Sequence, residues 1–369
     1  MTFSEVQSYR HPDEFPPDVE ELFALGARDS SELGTMWYRN FVNTIAGPDD
    51  LVRFYVLREQ QNAVAVLPVM TKSRRRYLHN RLESLSNYYT SLYAPVLRPD
   101  LDAQKLSRLI DEIKRLHIPM ASLRLQPMDP TSGAYRILLS ALRRSGLVPF
   151  EFFCFGNWFW RGKPDWQAYL SQRTSKLRSN VKRMDKKLLQ DGGSIEIVLG
   201  DADGKRAAEA FDVVYRTSWK QDEPYAEFVP GLIAGCAAVG SLRMGIAWLN
   251  AQPIAAQLWI VANGKAEIYK VAYDPAFKDY SPGTVLTARL MQHVMERDGV
   301  TEVDYLTGDD PYKQTWMGDR RERWGIVAYN PRTVLGLLGA FREASGRRLK
   351  KAGLALKAVL AGARGPAAP

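Results

Sequence analysis

The residues Ser281-Pro282-Gly283-Thr284 have the types and the spacing to bind a phosphate or a pyrophosphate. Pro282 suits the first turn of a helix, Ser281 can cap that helix, and Gly283 lets a ligand approach the backbone. The first N–H groups of a helix lack partners within it, and the helix dipole favours negative charge at that end. An ordinary capped helix has the same signals, so both interpretations stay open.

The elements around this stretch are indicated by the spacing of apolar residues. A strand pattern at Ala266 to Tyr273 precedes it, and a second strand is indicated at Val300 to Leu306. Between them, helical spacing is shown by Val285, Leu286, Leu290, Met291, Val294 and Met295. The sequence therefore predicts a unit of strand, loop, helix and strand.

The composition is that of a globular chain and excludes a disulfide-stapled or membrane-spanning one. Its 369 residues are 46% hydrophobic and 25% charged, which suits two domains of ordinary size. Cys154 and Cys236 lie outside any metal-ligand spacing, so we expect no metal ion and a reducing, cytoplasmic location. Met1 to Phe15 lack the apolar core of a signal peptide. The net charge of +9 favours an anionic partner without identifying it.

Two stretches of the chain repeat one pattern. Hairpin patterns align without gaps, Arg53 with Arg243 and Ala65 with Ala255, and each precedes a helix and a strand. The sequence predicts an α/β (mixed α+β) fold with tandem domains at 1–160 and 161–332 and a tail at 333–369. We expect Phe150 to Trp160 to be a buried strand that closes the first unit.

The two copies differ where an anion would bind. In place of the small residues of the second copy, the first has Arg98-Pro99-Asp100 and Asp102 before its helix. These carboxylates would repel phosphates, so we expect one anion site of this kind, in the second copy. Trp219, which ends a helical pattern of that copy, is interpreted as a core residue because of its size.

Two basic segments have alternative interpretations. A helix at Ser171 to Gln190 contains Arg173, Lys176, Arg178, Lys182, Arg183, Lys186 and Lys187. Its charges suit a solvated face or the docking of an anionic ligand or carrier. The pattern from Thr333 to Leu360 is a basic amphipathic helical tail, which suits packing on the protein's own core or binding to an anionic membrane or a partner.

The second copy resembles the GNAT acyltransferase superfamily. The resemblance depends on its hairpin, the Ser281 helix and the closing motif Asp304-Tyr-Leu-Thr-Gly-Asp-Asp-Pro-Tyr-Lys-Gln-Thr-Trp316. The branch it most resembles is the tandem FemAB-like one that contains CelD-type proteins of bacterial polysaccharide biosynthesis. Lys278 stands where the family's phosphate loop has Gln or Arg, and Ser281 where it has Gly. The resemblance implies two tandem GNAT-like domains, each a mixed, mainly antiparallel sheet flanked by helices.

The resemblance also implies a donor, a reaction and a site. Acetyl-CoA or another acyl-CoA would be the donor, and the primary amine of a small-molecule acceptor would attack its thioester directly. The cofactor-binding residues would be Val271, Ala272 and Tyr273 for the pantetheine, with Lys278, Ser281, Pro282, Gly283 and Thr284 for the pyrophosphate. Proton transfer would use residues at the strand ends: Glu267, Asp304, Asp309, Asp310, Tyr312 and Lys313. The structural alternatives are a turn at Asp309-Asp310, a solvent-facing Glu267 and a Lys313 that pairs with an aspartate.

Three functional hypotheses remain open. The first is a cytoplasmic, acetyl-CoA-dependent N-acyltransferase that acts on the amine of a sugar precursor, an amino acid or a related metabolite. The second is a transferase at the inner face of the membrane that uses an acyl carrier protein or an aminoacyl-tRNA; other nucleic acids are not expected. The third is an inactive scaffold of a polysaccharide machine. The sequence contains neither a phosphate loop for ATP nor a dinucleotide fingerprint, and His11, His79, His117 and His293 do not form a hydrolase motif.

Overall fold

The computed structural model describes residues 4–71, 81–200 and 204–362, with side chains from Glu5 to Leu349 within those ranges. The described strands form one 13-stranded sheet. They are β1 Ser4–Tyr9, β2 Leu51–Glu59, β3 Asn62–Thr71, β4 Arg81–Ser84, β5 Val96–Leu97, β6 Ser122–Met128, β7 Val148–Arg161, β8 Gly193–Val198, β9 Leu242–Leu249, β10 Gln252–Ala262, β11 Lys265–Tyr273, β12 Glu302–Asp304 and β13 Asp319–Tyr329.

Helices flank this sheet. They are α1 Pro17–Gly26, α2 Thr35–Thr44, α3 Ala103–Leu116, α4 Gly133–Arg144, α5 Trp166–Ser171, α6 Ser175–Gln190, α7 Gly204–Thr217, α8 Phe228–Ala238, α9 Pro282–Glu296, α10 Pro311–Trp316 and α11 Val334–Gly362. Short 3-10 helices lie at Pro12–Glu14, Ser31–Leu33 and Pro275–Tyr280. Among the described helices, none combines the length and the apolar character that crossing a membrane requires.

The order of the elements repeats, which confirms the predicted tandem α/β fold. The series from β1 through α1, α2 and the hairpin to α3, β6, α4 and β7 recurs from β8 through α7, α8 and the second hairpin to α9, β12, α10 and β13. Within each copy one strand pair is parallel, β4 with β6 and β11 with β12, and the other pairs are antiparallel. The sheet is therefore mixed and mainly antiparallel, as expected.

The two copies exchange their last strands. β7 pairs with β12 of the second copy, and β13 pairs with β6 of the first, while β7 and β13 pair with each other. The expectation that Phe150 to Trp160 closes the first unit was therefore wrong. This strand is also largely half-buried rather than fully buried, although it lies between β12 and β13 in the shared sheet. The domain ranges 1–160 and 161–332 stay predictions.

Helices from both copies share one hydrophobic core. The ring centroids of Trp37 on α2 and Phe228 on α8 lie 5.4 Å apart, and both side chains are fully buried. Asn40 Nδ2 donates to the carbonyl oxygen of Phe228 at 3.0 Å. Since burying such side chains is a major source of stability, the copies are held in one orientation by their helices as well as by the sheet.

The first turns of α11 expose their apolar face. Val334, Leu337, Leu338 and Phe341 have exposed fractions from 56% to 76%. For these residues, the interpretation that the tail packs on the protein's own core was wrong, because this part of α11 approaches the sheet with its small side, at Gly336 and Gly339. The predicted tail beyond residue 349 lies outside the described side chains.

Candidate active site

A gap opens in the sheet where β11 and β12 part. Their parallel pairing ends with Glu267 opposite Asp304, although β11 continues to Tyr273. The chain after β12 turns away through Leu306, whose φ of 55° is left-handed. Because β12 no longer pairs with it, the end of β11 offers free backbone groups to a ligand. The predicted pantetheine contacts, Val271 to Tyr273, lie along this gap.

A cavity of about 750 Å³ occupies the gap and has walls from both copies. The first copy supplies Tyr88, Tyr89 and Ser91, from the loop after β4. Aromatic side chains make up much of the lining: Tyr88, Tyr89, Tyr215, Trp219, Tyr269, Tyr305 and Tyr312. The expectation that Trp219 is a core residue was wrong, because its ring is 57% exposed and packs against Tyr273 with 4.6 Å between centroids.

Three of the predicted catalytic residues, Asp310, Tyr312 and Lys313, lie together at the start of α10 and line the cavity. Lys313 Nζ lies 3.4 Å from Asp310 Oδ2 and donates to the carbonyl oxygen of Thr307. Burial lowers the pKa of Lys313, although the charge of Asp310 opposes this shift. Burial and the charge of Asp310 raise the pKa of the Tyr312 hydroxyl to about 12. Tyr312 is therefore protonated near pH 7.

The structure adds Lys220, which sequence reasoning missed as a functional residue. It is half-buried in the cavity wall, and no described carboxylate lies within ion-pair distance of its ammonium group. Burial lowers the pKa of Lys220 to about 8, and the charges of Lys270 and Lys313 contribute to the shift. A lysine of this pKa can accept a proton near neutral pH. No local motif marks it, since the groups that shift its pKa lie on β11 and α10.

A second group that the sequence did not reveal joins the two copies at the cavity. Lys270 Nζ lies 2.6 Å from Glu223 Oε1, and Glu223 Oε2 accepts hydrogen bonds from the hydroxyls of Tyr88 and Tyr89. Burial would raise the pKa of Glu223, but the hydrogen bonds from Lys270 and the tyrosines lower it. The Tyr88-Tyr89 loop of the first copy is thereby fixed against β11.

Asp304 lies behind the cavity and is fully buried. Its Oδ2 lies 3.3 Å from Lys265 Nζ and accepts a hydrogen bond from Arg321, while Asn157 Nδ2 donates to Oδ1 at 2.6 Å. Burial would raise the pKa of Asp304, but the charges of Lys265 and Arg321 hold it well below its usual range. Such a carboxylate is a weak base, so the structure places Asp304 in a structural role.

Glu267 belongs to the same cluster of charges. Its carboxylate accepts hydrogen bonds from Ser30 at 2.9 Å and from Ser31, and it lies 3.0 Å from Lys265 Nζ. The alternative of a solvent-facing Glu267 was wrong, because the side chain is buried between the copies. The last candidate, Asp309, accepts a hydrogen bond from Trp158 and pairs with Arg320, and it does not line the cavity.

The predicted phosphate loop lies at the start of α9. Ser281 has a left-handed backbone (φ 45°), and its side chain does not cap the helix, contrary to expectation, because a side-chain cap needs an extended backbone. The N–H groups of Ser281 and Thr284 bond to Lys278 and Ser281 carbonyl oxygens, and Pro282 has none. The N–H of Gly283 has no partner within the described chain. Among the backbone N–H groups of residues 281–284, it is therefore the one that is free to bind an anion.

Neighbouring residues hold the start of α9 against the sheet and beside α6. The buried Gln257 donates to the carbonyl oxygen of Gly283 at 3.0 Å and to Thr287 at 2.9 Å. Lys187 of the basic helix lies 4.0 Å from the centre of the Tyr280 ring. The basic helix begins at Ser175 rather than Ser171. By contrast, Asp102 caps α3 by accepting from the N–H of Lys105 at 2.8 Å.

Comparison with known proteins supports this interpretation of the fold. Residues 175–314 match the family model of the acetyltransferase (GNAT) domain. The matched segment runs from α6 into α10 and includes the gap, much of the cavity lining and the start of α9. No curated protein matches the chain.

Solved structures show the same fold over most of the chain. FemX gives a TM-score of 0.59 at 11% identity, covering 88% of this chain and 97% of its own. A conserved protein of unknown function from Bacteroides thetaiotaomicron gives 0.54 at 10% identity, covering 88% and 100%. The C-terminal domain of a candidate lysylphosphatidylglycerol synthetase from Agrobacterium fabrum gives 0.53 at 14% identity, covering 89% and 96%. At identities of 10% to 14%, this likeness shows a shared fold and nothing about activity.

The structural role of Asp304 predicts the effect of replacing it. We expect Asp304→Asn to lower the free energy of unfolding by about 2 to 3 kcal/mol, because Lys265 and Arg321 would each lose one of two carboxylate partners and keep only Glu267 and Glu302. The depressed pKa of Asp304 stabilises the native state above the unfolded-state pKa of about 3.9, and this contribution is lost as the pH falls below it. The free energy of unfolding, measured by urea denaturation, should therefore fall less between pH 7 and pH 3 in Asp304→Asn than in the wild type.

The exposed Asp319 gives a matched control, since Asp319→Asn removes the same charge outside the cluster. We expect that variant to unfold like the wild type at each pH. Equal stabilities of wild type and Asp304→Asn at pH 7 would contradict the structural role.

Proposed function

We propose that the protein is an acyl-CoA-dependent N-acyltransferase that transfers an acyl group to a primary amine bound in the aromatic cavity. The observation that supports this most is the gap between β11 and β12, because it joins a free helix start to a cavity within a GNAT-type domain. The acyl group is an acetyl group in the simplest form of the proposal. In a more specific version of the proposal, the protein has a CelD-type role and the acceptor is a sugar precursor.

The donor would lie along the gap. Its pyrophosphate would bind the N–H of Gly283 at the positive end of α9, and its pantetheine would pair with the free edge of β11 at Val271 to Tyr273. This path leads the thioester into the cavity. A Cβ at Gly283 would lie 3.5 Å from the Tyr273 ring, so a longer side chain there would enter the donor's path.

The acceptor would lie among the aromatic residues. Flat tyrosine and tryptophan rings suit the faces of a sugar or another amphipathic ring, and the exposed carboxylate of Asp310 suits an ammonium group. Lys220 would take a proton from that ammonium, since its pKa of about 8 makes a fraction of it neutral. The amine nitrogen would then attack the thioester carbon. As the C–S bond breaks, Tyr312 would protonate the leaving thiolate, and the second N–H proton that the new amide nitrogen loses would return to the Tyr312 oxygen.

A different donor is supported by one observation. The exposed cations of α6, among them Lys182, Arg183 and Lys186, lie on the helix that packs beside the start of α9. A carrier protein or an aminoacyl-tRNA would find there a positive surface next to the donor gap. Binding of acetyl-CoA by the purified protein decides between these donors, and the absence of transfer to any amine would favour the scaffold hypothesis.

The exposed face of α11 favours a membrane-associated location for the enzyme. Apolar side chains at Val334, Leu337, Leu338 and Phe341 face solvent, and Arg342 and Arg348 flank them. Contiguous exposed apolar residues bordered by cations suit the surface of an anionic membrane. We infer that α11 holds the protein at such a surface.

The donor site predicts a loss of acetyl-CoA binding in Gly283→Asp. The carboxylate would repel the pyrophosphate and obstruct the gap, so we expect affinity to fall at least about tenfold. Calorimetric titration of the wild type should give one site per chain. Gln104→Asp, which places the same charge at the start of α3, should bind like the wild type. Two equivalent sites, or an unaffected Gly283→Asp, would overturn the assignment.

The role of Lys220 predicts a change in the pH profile of transfer. Release of CoA from acetyl-CoA is measured with a panel of amino sugars, amino acids and amines, and the rate should rise through about pH 8 as Lys220 becomes neutral. Lys220→Met should lower kcat by about 10² to 10⁴ and remove that rise, while acetyl-CoA binding persists. Lys186→Met, at an exposed lysine, is the control. A profile unchanged in Lys220→Met would exclude this base.

The exposed face of α11 predicts binding to anionic vesicles. The wild type should float with vesicles containing phosphatidylglycerol and less with neutral ones, and Leu337→Asp combined with Phe341→Asp should abolish flotation. Leu189→Asp, at an exposed leucine of α6, should float like the wild type. A wild type that fails to float, or that is a dimer which the double variant dissociates, would refute the membrane location.

A further inference from the structure

A second cavity, of about 810 Å³, lies at the opposite ends of β11 and β12. Its walls come from the end of α1, the loop at 92–99 and the start of α4 in the first copy, together with the first residues of β11 and β12. Since α4 and α10 occupy the same place in the two copies, this cavity is the counterpart of the aromatic one. Its lining is chemically different.

The charged lining has an excess of cations. The cations are Arg28, Arg98, Arg161, Lys265, Arg321 and Arg323, and the carboxylates are Asp29, Asp129 and Glu302. Glu302 already pairs with both Arg161 and Arg321. Lys265 and Arg321 also pair with Asp304 behind the wall, and Arg98 pairs with Glu21, so the case for an anion depends on individual donors rather than on the sum of the charges.

Arg323 supplies an unsatisfied donor in this cavity. Its side chain is 4% exposed, and Nη1 makes no hydrogen bond to the described residues, although it lies 3.3 Å from Asp129 Oδ2. Burial would raise the pKa of Asp129, but hydrogen bonds from Thr131 and the charge of Arg323 lower it, so this ion pair is charged. A buried guanidinium donor without a hydrogen bond is costly, and a ligand oxygen in the cavity would satisfy it.

The start of α4 adds backbone donors next to Arg323. Ser132 caps the helix by accepting from the N–H of Tyr135 at 3.1 Å. The N–H groups of Gly133 and Ala134 have no partner in the described ranges, and the position of a Cβ on Gly133 is open, with no atom within 4 Å. Both residues line the cavity, so the positive end of a 12-residue helix opens into it.

We propose that this cavity binds the phosphoryl group of a small molecule. Arg323 and the N–H groups of Gly133 and Ala134 donate to its oxygens, and the guanidinium charge and the positive end of α4 favour its negative charge. Leu33, Leu92 and Ile137 on the cavity wall contact the rest of the ligand. The site differs from the proposed donor site, which lies at α9, and does not depend on the acyl-CoA assignment.

The test is a calorimetric titration with pyrophosphate at constant ionic strength. It uses the Gly283→Asp variant as background, so that the proposed donor site does not contribute. We expect pyrophosphate to bind this background and to bind on the order of tenfold more weakly when Gly133→Asp is added, because the new carboxylate faces the ligand. An aspartate in the first turn of a helix is compatible with the helix dipole, so the melting temperature should not change when Gly133→Asp is added.

Gln104→Asp is the matched control, since it places the same charge at the start of α3, outside the cavity. It should leave pyrophosphate binding unchanged. The absence of binding to the background, or equal affinities with and without Gly133→Asp, would overturn the proposal. The same variants in vesicle flotation identify the source of the phosphoryl group. If Gly133→Asp abolishes flotation, the ligand of this cavity is a lipid headgroup. If flotation is unchanged, the ligand is a soluble phosphate ester.

Discussion

The gap between β11 and β12 depends on the carboxylate of Asp304. Its Oδ1 accepts from the N–H of Leu306 at 2.7 Å, so a backbone group that would continue the pairing with β11 is bonded to a side chain instead. The left-handed backbone of Leu306 then takes the chain away from the sheet. Lys265 and Arg321 keep the carboxylate charged, which strengthens the bond that ends the strand. Without this interaction β12 could extend along β11 and fill the cavity.

The exchange of strands supplies the partners of that carboxylate. Asn157 lies on β7, which belongs to the first copy in sequence, and Arg321 lies on β13 of the second. Arg321 Nε also donates to Asn157 Oδ1 at 2.6 Å, so the central strands hold each other in place around Asp304. A single copy would lack one of these two residues. The duplication therefore does more than add a wall to the aromatic cavity, because it also completes the charged cluster that opens the gap.

Sequence patterns predicted what depends on neighbours in the chain. Apolar spacing identified α9, the hairpins and the repeat, since periodicity reports directly which side of an element is buried. The family resemblance brought Asp310, Tyr312 and Lys313 together, because they share one short motif. Sequence reasoning failed for Lys220, for Trp219 and for the solvent-facing alternative of Glu267, because the burial or exposure of these side chains is set by residues distant in sequence. It also failed for the strand at Phe150 to Trp160, because an aromatic run does not indicate which sheet it joins.

The two copies illustrate how a small change at a helix start alters what it can bind. In α3 the first turn is completed by the carboxylate of Asp102, which satisfies a backbone donor and places negative charge at the positive end of the helix. In α9 the residue at that place, Ser281, has a left-handed backbone and makes no such bond, which costs local strain but leaves the N–H of Gly283 open. The strain is tolerable because Gln257 anchors the turn through the carbonyl oxygen of Gly283. The capped start of α3 is thus the more stable arrangement. The start of α9 instead keeps an accessible donor, the N–H of Gly283, beside the gap that Asp304 opens.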